Sequence, residues 1–236
     1  MPCKIRKAVT FSYDDGVTQD QRLIELLNQY NLKCTFNLNS SLLGTGGPML
    51  REEVTIPHVK PRSCEIASIY EGHEIASHTL THPFLPDCDE EEIVRQVERD
   101  REALSTFCGY EVVGFAYPGG GVNFDERVAD VLRRKTGVRY ARTTVSSFHF
   151  EPQSDLFVFK PTVYHHREWD ALFELGHRFV ELNADRPQIF YIWGHAYEFD
   201  IHNTWSRFEE FCKLIANRDD IYYGTNRQVL MEDWAY

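Results

Sequence analysis

The chain has 236 residues, of which 42% are hydrophobic and 26% are charged. This composition is typical of a globular protein and excludes the disordered and fibrous classes. The formal net charge of −11 argues against a nucleic-acid partner, because affinity for a phosphate backbone depends on clustered Lys and Arg. No apolar run reaches the ~18–20 residues of a membrane span, and the N-terminal run is too short for a secretory leader. We therefore expect a cytoplasmic protein without membrane contact.

Strand-length apolar runs alternate with segments of helical periodicity. The predicted strands are Ala8–Tyr13, Cys34–Leu38, His73–Ser77, Val112–Tyr117, Arg139–Thr143, Phe157–Val163, Gln188–Trp193 and Ile221–Tyr223. The predicted helices are Gln19–Tyr30, Glu90–Phe107, Phe124–Lys135, Glu168–Asn183 and Thr204–Asn217. Asp89, followed by Glu92, resembles a capping box at the start of the second helix. Strands separated by helices pair in parallel, so the pattern predicts an α/β fold, and seven or eight such units favour a compact barrel over an open sheet.

Two stretches lack a clear period. Residues 44–63 are predicted to form a long surface loop, and residues 144–156 a second irregular segment. No linker or repeat divides the chain, which predicts one domain over residues 1–236. The cysteines form no C-x-x-C pair and are interpreted as reduced, mostly packed thiols. They are Cys3, Cys34, Cys64, Cys88, Cys108 and Cys212.

The first predicted strand ends in two adjacent carboxylates, Asp14 and Asp15, followed by Gly16. Barrels assemble their active sites at the carboxyl ends of their strands. One carboxylate there can bind a metal while the other takes a proton from water. The alternative interpretation is a plain turn, since Asp-Gly is a common turn pair.

The third predicted strand ends next to His78 and His82, whose spacing allows both imidazoles to reach one cation. With a carboxylate from the Asp14-Asp15 pair and a water molecule, they make up the open coordination shell of a catalytic zinc or similar divalent ion. A packed or surface histidine pair is the alternative.

Two further segments follow predicted strands. His195 lies at the end of the seventh strand and suits a general acid near neutral pH, unless it is a structural histidine. The run Gly119–Gly121 follows the fourth strand and offers backbone N–H groups to a developing oxyanion. Glycine runs are also common flexible connectors.

These segments, in this order, resemble the polysaccharide deacetylases of the NodB-homology type, also called carbohydrate esterase family 4. The family's T-F-D-D-G motif matches residues 12–16, Ser-Tyr-Asp-Asp-Gly. Its H-[ST]-x-x-H motif matches residues 78–82, His-Thr-Leu-Thr-His, and its final L-x-H motif is matched loosely by residues 193–195, Trp-Gly-His.

The resemblance implies a metal-dependent hydrolase on a distorted (β/α)7–8 barrel. The enzyme would remove an N-acetyl or similar acyl group from an amino sugar or oligosaccharide. By position, Asp14 would be the general base and His195 the general acid. The metal ligands would be Asp15, His78 and His82.

The family's third motif, R-P-P-Y-G, aligns with residues 116–120 and implies an oxyanion contact at Gly119. Tyr117, near the end of the fourth strand, is a candidate substrate contact through its ring, and a place in the core is the alternative. The arginine of the third motif falls on Ala116, and no D-x-x-D-W fourth motif occurs between residues 122 and 165. We hypothesise that Arg142, at the end of the fifth strand, supplies the missing guanidinium. A surface salt bridge is the alternative for Arg142.

One divalent ion is therefore expected, with zinc favoured and cobalt, nickel or iron also compatible with two imidazoles and a carboxylate. The expected cytoplasmic location favours a short N-acetylated sugar or a small amide over an insoluble polymer. Two other functions stay open: a related C–N hydrolase that acts on a non-sugar amide or ureide without metal, and a carbohydrate-binding barrel that has lost catalysis. The sequence does not indicate an oligomeric state.

Overall fold

The computed structural model describes residues 5–235. Its strands, in chain order, are β1 (Lys7–Asp14), β2 (Cys34–Leu38), β3 (Gly46–Arg51), β4 (Val54–Val59), β5 (Glu74–Ser77), β6 (Gly114–Ala116), β7 (Tyr140–Arg142), β8 (Val163–Tyr164), β9 (Gln188–Gly194) and β10 (Ile221–Tyr223). Its helices are α1 (Asp20–Gln29), α2 (Ile66–Ile69), α3 (Glu90–Cys108), α4 (Glu126–Lys135), α5 (Trp169–Glu181), α6 (Glu198–Ile201), α7 (Trp205–Ile215) and α8 (Asn226–Met231).

Eight strands form one sheet in the order β7-β6-β5-β2-β1-β9-β8, with β10 also paired to β1, and every pairing is parallel. The central strand β1 is buried along its whole length, as expected where helices cover both faces of a parallel sheet. At the edge strand β7, Arg142 forms an isolated parallel bridge with Phe159. Three residues later, the Thr162 N–H donates to the Tyr191 carbonyl in β9. The segment 159–162 thus connects the two edges, and the sheet has the predicted distorted α/β barrel form.

The predicted helices are confirmed, with small differences at their ends. In α3, Ile93, Val97 and Leu104 face the core at helical spacing. The Asp89 side chain accepts a hydrogen bond from the Glu92 N–H at 2.8 Å, so only this half of the predicted capping box forms, and the Glu92 side chain binds Arg95 instead. A reciprocal capping box forms elsewhere, at the start of α8, a helix that the periodicity did not predict.

The predicted structure is wrong for two segments. Residues 44–63 contain an antiparallel hairpin, β3–β4, in place of a surface loop. Most of its side chains are exposed and Pro48 lies opposite Pro57, so the buried run that marks a strand is missing. The predicted strand Phe157–Val163 begins with a 3₁₀ turn that Asp155 caps, and only Val163 pairs with β9.

The described cysteines, residues 34, 64, 88, 108 and 212, are all unpaired, as predicted. The Cys34 and Cys212 thiols are buried, whereas Cys64 is exposed. Cys3 lies outside the described residues. Between residues 5 and 235, no helix has both the length and the apolar character needed to cross a bilayer.

Candidate active site

The carboxyl ends of the central strands open into a cleft of about 690 Å³. Because parallel strands end at the same edge of a sheet, this edge collects side chains that are distant in sequence. Six of the eight residues selected from the sequence line the cleft: Asp14, Asp15, His78, His82, Gly119 and His195. Four basic side chains that were not selected from the sequence also line it: Arg51, His58, Lys60 and Arg167.

Asp15, His78 and His82 meet in this cleft, with one ligand-type atom from each within 4.8 Å of the others. His78 Nδ1 lies 2.8 Å from the carbonyl oxygen of Ala116. Since a carbonyl only accepts, Nδ1 carries the proton and Nε2 keeps its lone pair, as in the histidine ligands of metal sites. Two imidazoles and one carboxylate with this orientation fit an open divalent-metal site.

The backbone around this cluster is strained. Asp15, Thr79 and His82 have φ angles of 79°, 70° and 61°, a region that costs a non-glycine residue about 1–3 kcal/mol. The buried Asn39 side chain holds the second loop by donating to the carbonyls of His78 and Thr79, at 2.5 Å and 2.9 Å. Such strain persists only where surrounding contacts enforce it. Here the strained backbone belongs to the two loops that carry Asp15, His78 and His82.

Local electrostatics keep two of these side chains, Asp15 and His78, unprotonated. Burial lowers the pKa of His78 to about 4. Burial alone would raise the pKa of Asp15, but a hydrogen bond from His58, 3.4 Å away, and nearby cations hold it well below its usual range. At neutral pH both side chains are therefore in the form that binds a metal ion.

Asp14 forms a buried ion pair with Arg142. Nη2 of Arg142 lies 2.6 Å and 2.5 Å from the two carboxylate oxygens, and Asn37 donates to Oδ1 at 2.8 Å. The guanidinium also lies over the Trp193 ring, 4.5 Å from its centroid. Asp14 is thus fixed in orientation by two donors, and Arg142 is fully buried and not a surface residue.

His195 follows β9 directly and pairs with Glu198. Its Nδ1 lies 3.0 Å from Glu198 Oε1, while the other carboxylate oxygen accepts the His195 N–H at 3.0 Å. Burial alone would lower the pKa of His195, but the charge of Glu198 outweighs it and raises this pKa to about 9. The same pair lowers the pKa of Glu198 to about 2, against the effect of burial. His195 is thus an imidazolium at neutral pH, which is the form of a general acid.

The two residues of the third motif differ in position. Gly119, at a φ of 90°, lines the cleft. Tyr117 does not: its side chain is fully buried between Phe115 and Phe124, and its hydroxyl donates to the Phe157 carbonyl at 2.8 Å. The expected substrate contact through the Tyr117 side chain is therefore corrected to a role in the core.

The β3–β4 hairpin supplies side chains that the sequence analysis missed. His58 and Lys60 reach the cleft beside Asp15, and the nearly buried Lys60 ammonium donates to the Asp15 carbonyl. Val54, Ile56, His58 and Lys60 alternate along one face, a signal for a strand that Pro57 and the surrounding polar residues obscured.

Known proteins resemble this chain in sequence and in fold. The family model for polysaccharide deacetylase matches residues 2–141. A peptidoglycan-N-acetylglucosamine deacetylase from Listeria monocytogenes is 27% identical over 123 residues, which are 51% of this chain and 23% of that protein. A chitooligosaccharide deacetylase from Rhizobium leguminosarum bv. trifolii is 41% identical over 64 residues, 27% of each chain. The chain thus matches about a quarter of the length of these curated relatives.

Solved structures with the same fold include a family 4 carbohydrate esterase from Streptomyces lividans in complex with acetate. It has a TM-score of 0.56 at 15% identity and covers 94% of this chain and 93% of its own. A family 4 carbohydrate esterase pseudoenzyme from Bacillus anthracis has a TM-score of 0.57 at 16% identity over 98% of this chain and 67% of its own. At these identities the likeness shows the fold alone. Since the family model spans more than half of the sequence, the chain belongs to the polysaccharide deacetylase family.

Proposed function

We propose that the chain is a metal-dependent hydrolase that removes the acetyl group from an N-acetylated amino sugar or short oligosaccharide. One observation carries the proposal: a single cleft combines a metal-ligand set, a fixed carboxylate and a protonated histidine. The names of the relatives support the substrate class, since they are deacetylases of peptidoglycan N-acetylglucosamine and of chitooligosaccharides.

Asp15, His78 and His82 would hold the divalent ion. When bound, such an ion polarises a carbonyl oxygen and lowers the pKa of water, which is the chemistry that amide hydrolysis needs. Zinc is the first choice for two imidazoles and one carboxylate, and cobalt, nickel and iron accept the same ligands.

The remaining residues divide the proton transfers between them. Asp14 takes a proton from the attacking water as the water oxygen adds to the carbonyl carbon. The N–H of Gly119, which lines the cleft, would stabilise the developing oxyanion. His195 then donates its proton to the sugar nitrogen as the C–N bond breaks, which releases acetate and a free amine.

The cleft fits a sugar better than a small aliphatic amide. Its volume of about 690 Å³ is within the range of pockets that enclose ligands of drug size. Trp193 and Tyr197 form part of its wall, but both side chains are almost fully buried, and the Trp193 ring packs against Tyr164 and the Arg142 guanidinium.

Acetate release from N-acetylglucosamine oligomers tests the proposal. We expect the chelator-treated protein to be inactive and added Zn²⁺ or Co²⁺ to restore activity. In the His78→Ala variant, added metal should restore little of the acetate-releasing activity. Hydrolysis of small amides or ureides that persists in chelator would favour the metal-free alternative. Sugar binding without acetate release, at full metal occupancy, would favour a barrel that has lost catalysis.

A further inference from the structure

A second cluster of metal-binding side chains lies apart from Asp15, His78 and His82. Glu52 is at the tip of the β3–β4 hairpin, His166 follows β8 and His202 follows α6. Glu52 Oε1 lies 3.2 Å from His166 Nε2, and Oε2 lies 2.9 Å from His202 Nε2. One atom from each side chain lies within 4.8 Å of the other two.

The cluster combines one fixed ligand with two accessible ones. The His166 side chain is only 4% exposed, whereas Glu52 and His202 are 33% and 55% exposed. The two imidazole rings are nearly parallel, with centroids 5.7 Å apart and planes at 5°. Packing thus fixes one imidazole, and the solvent-facing side leaves an entry path for an ion and room for water ligands.

The hairpin tip adds a second observation. Glu52 and Glu53 have φ angles of 50° and 66°, and two such residues make the two-residue turn that normally requires Asn-Gly or Gly-Gly. In a Glu-Glu pair this conformation is strained, because neither residue is a glycine. At this turn the Glu52 carboxylate contacts His166 and His202, whereas the Glu53 side chain makes no hydrogen bond or ion pair with residues 5–235.

We propose that Glu52, His166 and His202 form a second divalent-cation site, suited to Zn²⁺, that fixes the β3–β4 hairpin over the catalytic cleft. Each imidazole would bind the ion through Nε2 and Glu52 through its carboxylate, and protons would be released as the ion enters. Arg167, whose Nη2 lies 3.8 Å from Glu52 Oε1, is largely exposed and can move away.

The site would act on catalysis through the hairpin. The base of the hairpin is held by Gln19, whose side chain donates to the Pro57 carbonyl at 2.7 Å. The tip is held by Glu52, and His58 and Lys60, at the base of the hairpin, contact Asp15 in the cleft. An ion at the tip would therefore reduce the mobility of the two hairpin side chains next to Asp15. Metal binding at this site does not depend on the proposed deacetylase function.

Calorimetric titration of the chelator-treated full chain with Zn²⁺ tests the proposal. We expect about two ions per chain in the wild type and about one in His202→Ala, His78→Ala or Glu52→Gln. The double variant His78→Ala/His202→Ala should bind none. Glu53→Gln, a change at the neighbouring position of the same turn, is the matched control and should behave as the wild type.

Two results would overturn the second site: unchanged stoichiometry in His202→Ala, or no Zn²⁺ binding in His78→Ala. The wild type could instead bind one ion that is lost in His202→Ala and kept in His78→Ala. That result would support this second site and contradict the proposed catalytic metal site. Hydrogen exchange tests the role in fixing the hairpin. In His78→Ala, Zn²⁺ should slow amide exchange over residues 46–59, and unchanged exchange in Zn²⁺-bound protein would contradict that role.

Discussion

Arg142 occupies a position one strand away from the arginine of the family motif. That motif position is Ala116 on β6, and Ala116 and Arg142 are partners in the register of β6 and β7. The Arg142 side chain therefore leaves the sheet at the same height along the barrel as a side chain at position 116 would. It reaches Asp14 from the neighbouring strand. We infer that Arg142 positions the catalytic carboxylate in place of the family arginine.

Replacing Arg142 by alanine should remove this support. Asp14 would be left buried without a counter-charge, so we expect acetate release to fall about 100-fold or more, and the free energy of unfolding to fall by about 3 kcal/mol. Steady-state kinetics and denaturant unfolding measure the two effects. Arg139→Ala, which removes an exposed arginine paired with exposed Glu111, is the control and should change neither quantity much. Near-normal hydrolysis by Arg142→Ala would contradict the inference.

Glu198 sets the proton affinity of His195. Because the pKa of His195 is raised to about 9, the acid stays protonated up to that pH, and kcat/KM should decline only above it. In Glu198→Gln the negative charge is lost while burial remains, so the pKa should fall to the ordinary histidine value of about 6.5 or lower. The basic limb of the pH profile should then move down by about two units or more.

The control for this profile is Glu210→Gln, on the exposed face of α7. It changes the net charge of the protein by the same amount and should leave the pH dependence unaltered. An unshifted basic limb in Glu198→Gln, with activity retained, would mean that another group sets the protonation of His195.

The hairpin is the element that most distinguishes this cleft from the sequence-based expectation. Its position depends on close backbone approach at Gly46, where φ is 128° and a Cβ atom would lie 2.2 Å from the His58 carbonyl oxygen. At Gly47, the next residue, a Cβ atom would meet nothing within 4 Å. The two glycines therefore offer a matched pair of substitutions in one strand.

Gly46→Ala should separate β3 from β4 beside His58 and displace the imidazole from Asp15. A shift of about 1 Å in a positioned group costs about 10- to 100-fold in rate, so we expect a loss of that size in kcat/KM. The kcat/KM of Gly47→Ala should stay within about two-fold of the wild-type value. Circular dichroism checks that both variants fold. Equal activity in the two variants would show that the hairpin does not position the cleft.

The sequence predicted the elements that bury a continuous apolar stripe. β1, β2 and β9 were predicted nearly to the residue because their apolar runs are buried on both faces. The hairpin lacked such a run, since its strands pack through few side chains. The strand Phe157–Val163 failed because the Asp155 cap and Pro161 favour a turn over a ladder, although the residues are apolar.

The candidate site was predictable to the extent that it depends on strand ends. Asp14, Asp15, His78, His82 and His195 lie at the carboxyl ends of strands or in the loops that follow them, so an α/β barrel brings them to one edge. The pairing of Arg142 with Asp14 needed the strand order, which spacing alone does not give. His58 and Lys60 come from a hairpin inserted between β2 and β5, and their approach to Asp15 depends on tertiary packing.

Across the whole molecule, buried titratable groups couple stability to pH. Burial lowers the pKa of His73 and His78 to about 4 and that of His165 to about 3. These side chains bind protons more weakly in the folded chain than in the unfolded chain, so stability falls as pH drops below about 6.5. Asp20 and Asp100 act in the opposite direction, because burial raises their pKa values to about 7 and about 6.

His165 is not itself a proposed metal ligand, although its neighbour His166 is, so in metal-free protein it isolates one of these contributions. Its ring stacks on Phe199 and Tyr13, and its two ring nitrogens have no hydrogen-bond partner among residues 5–235. Phenylalanine keeps the aromatic contacts and cannot take up a proton. Between pH 6.5 and pH 4.5 the His165 contribution amounts to about 2–3 kcal/mol of lost stability in the wild type.

His165→Phe should therefore flatten the acid side of the stability curve. At about 2–4 °C per kcal/mol for a chain of this size, its Tm should fall between pH 7 and pH 4.5 by roughly 5–10 °C less than the wild-type Tm. Thermal unfolding of metal-free protein at the two pH values measures the difference and keeps metal release out of it. His177→Phe, at an exposed site on α5, should keep the wild-type pH dependence. If both variants lose stability with acid as the wild type does, the ring of His165 is not the proton acceptor, and the other buried histidines, His73 and His78, become the candidates.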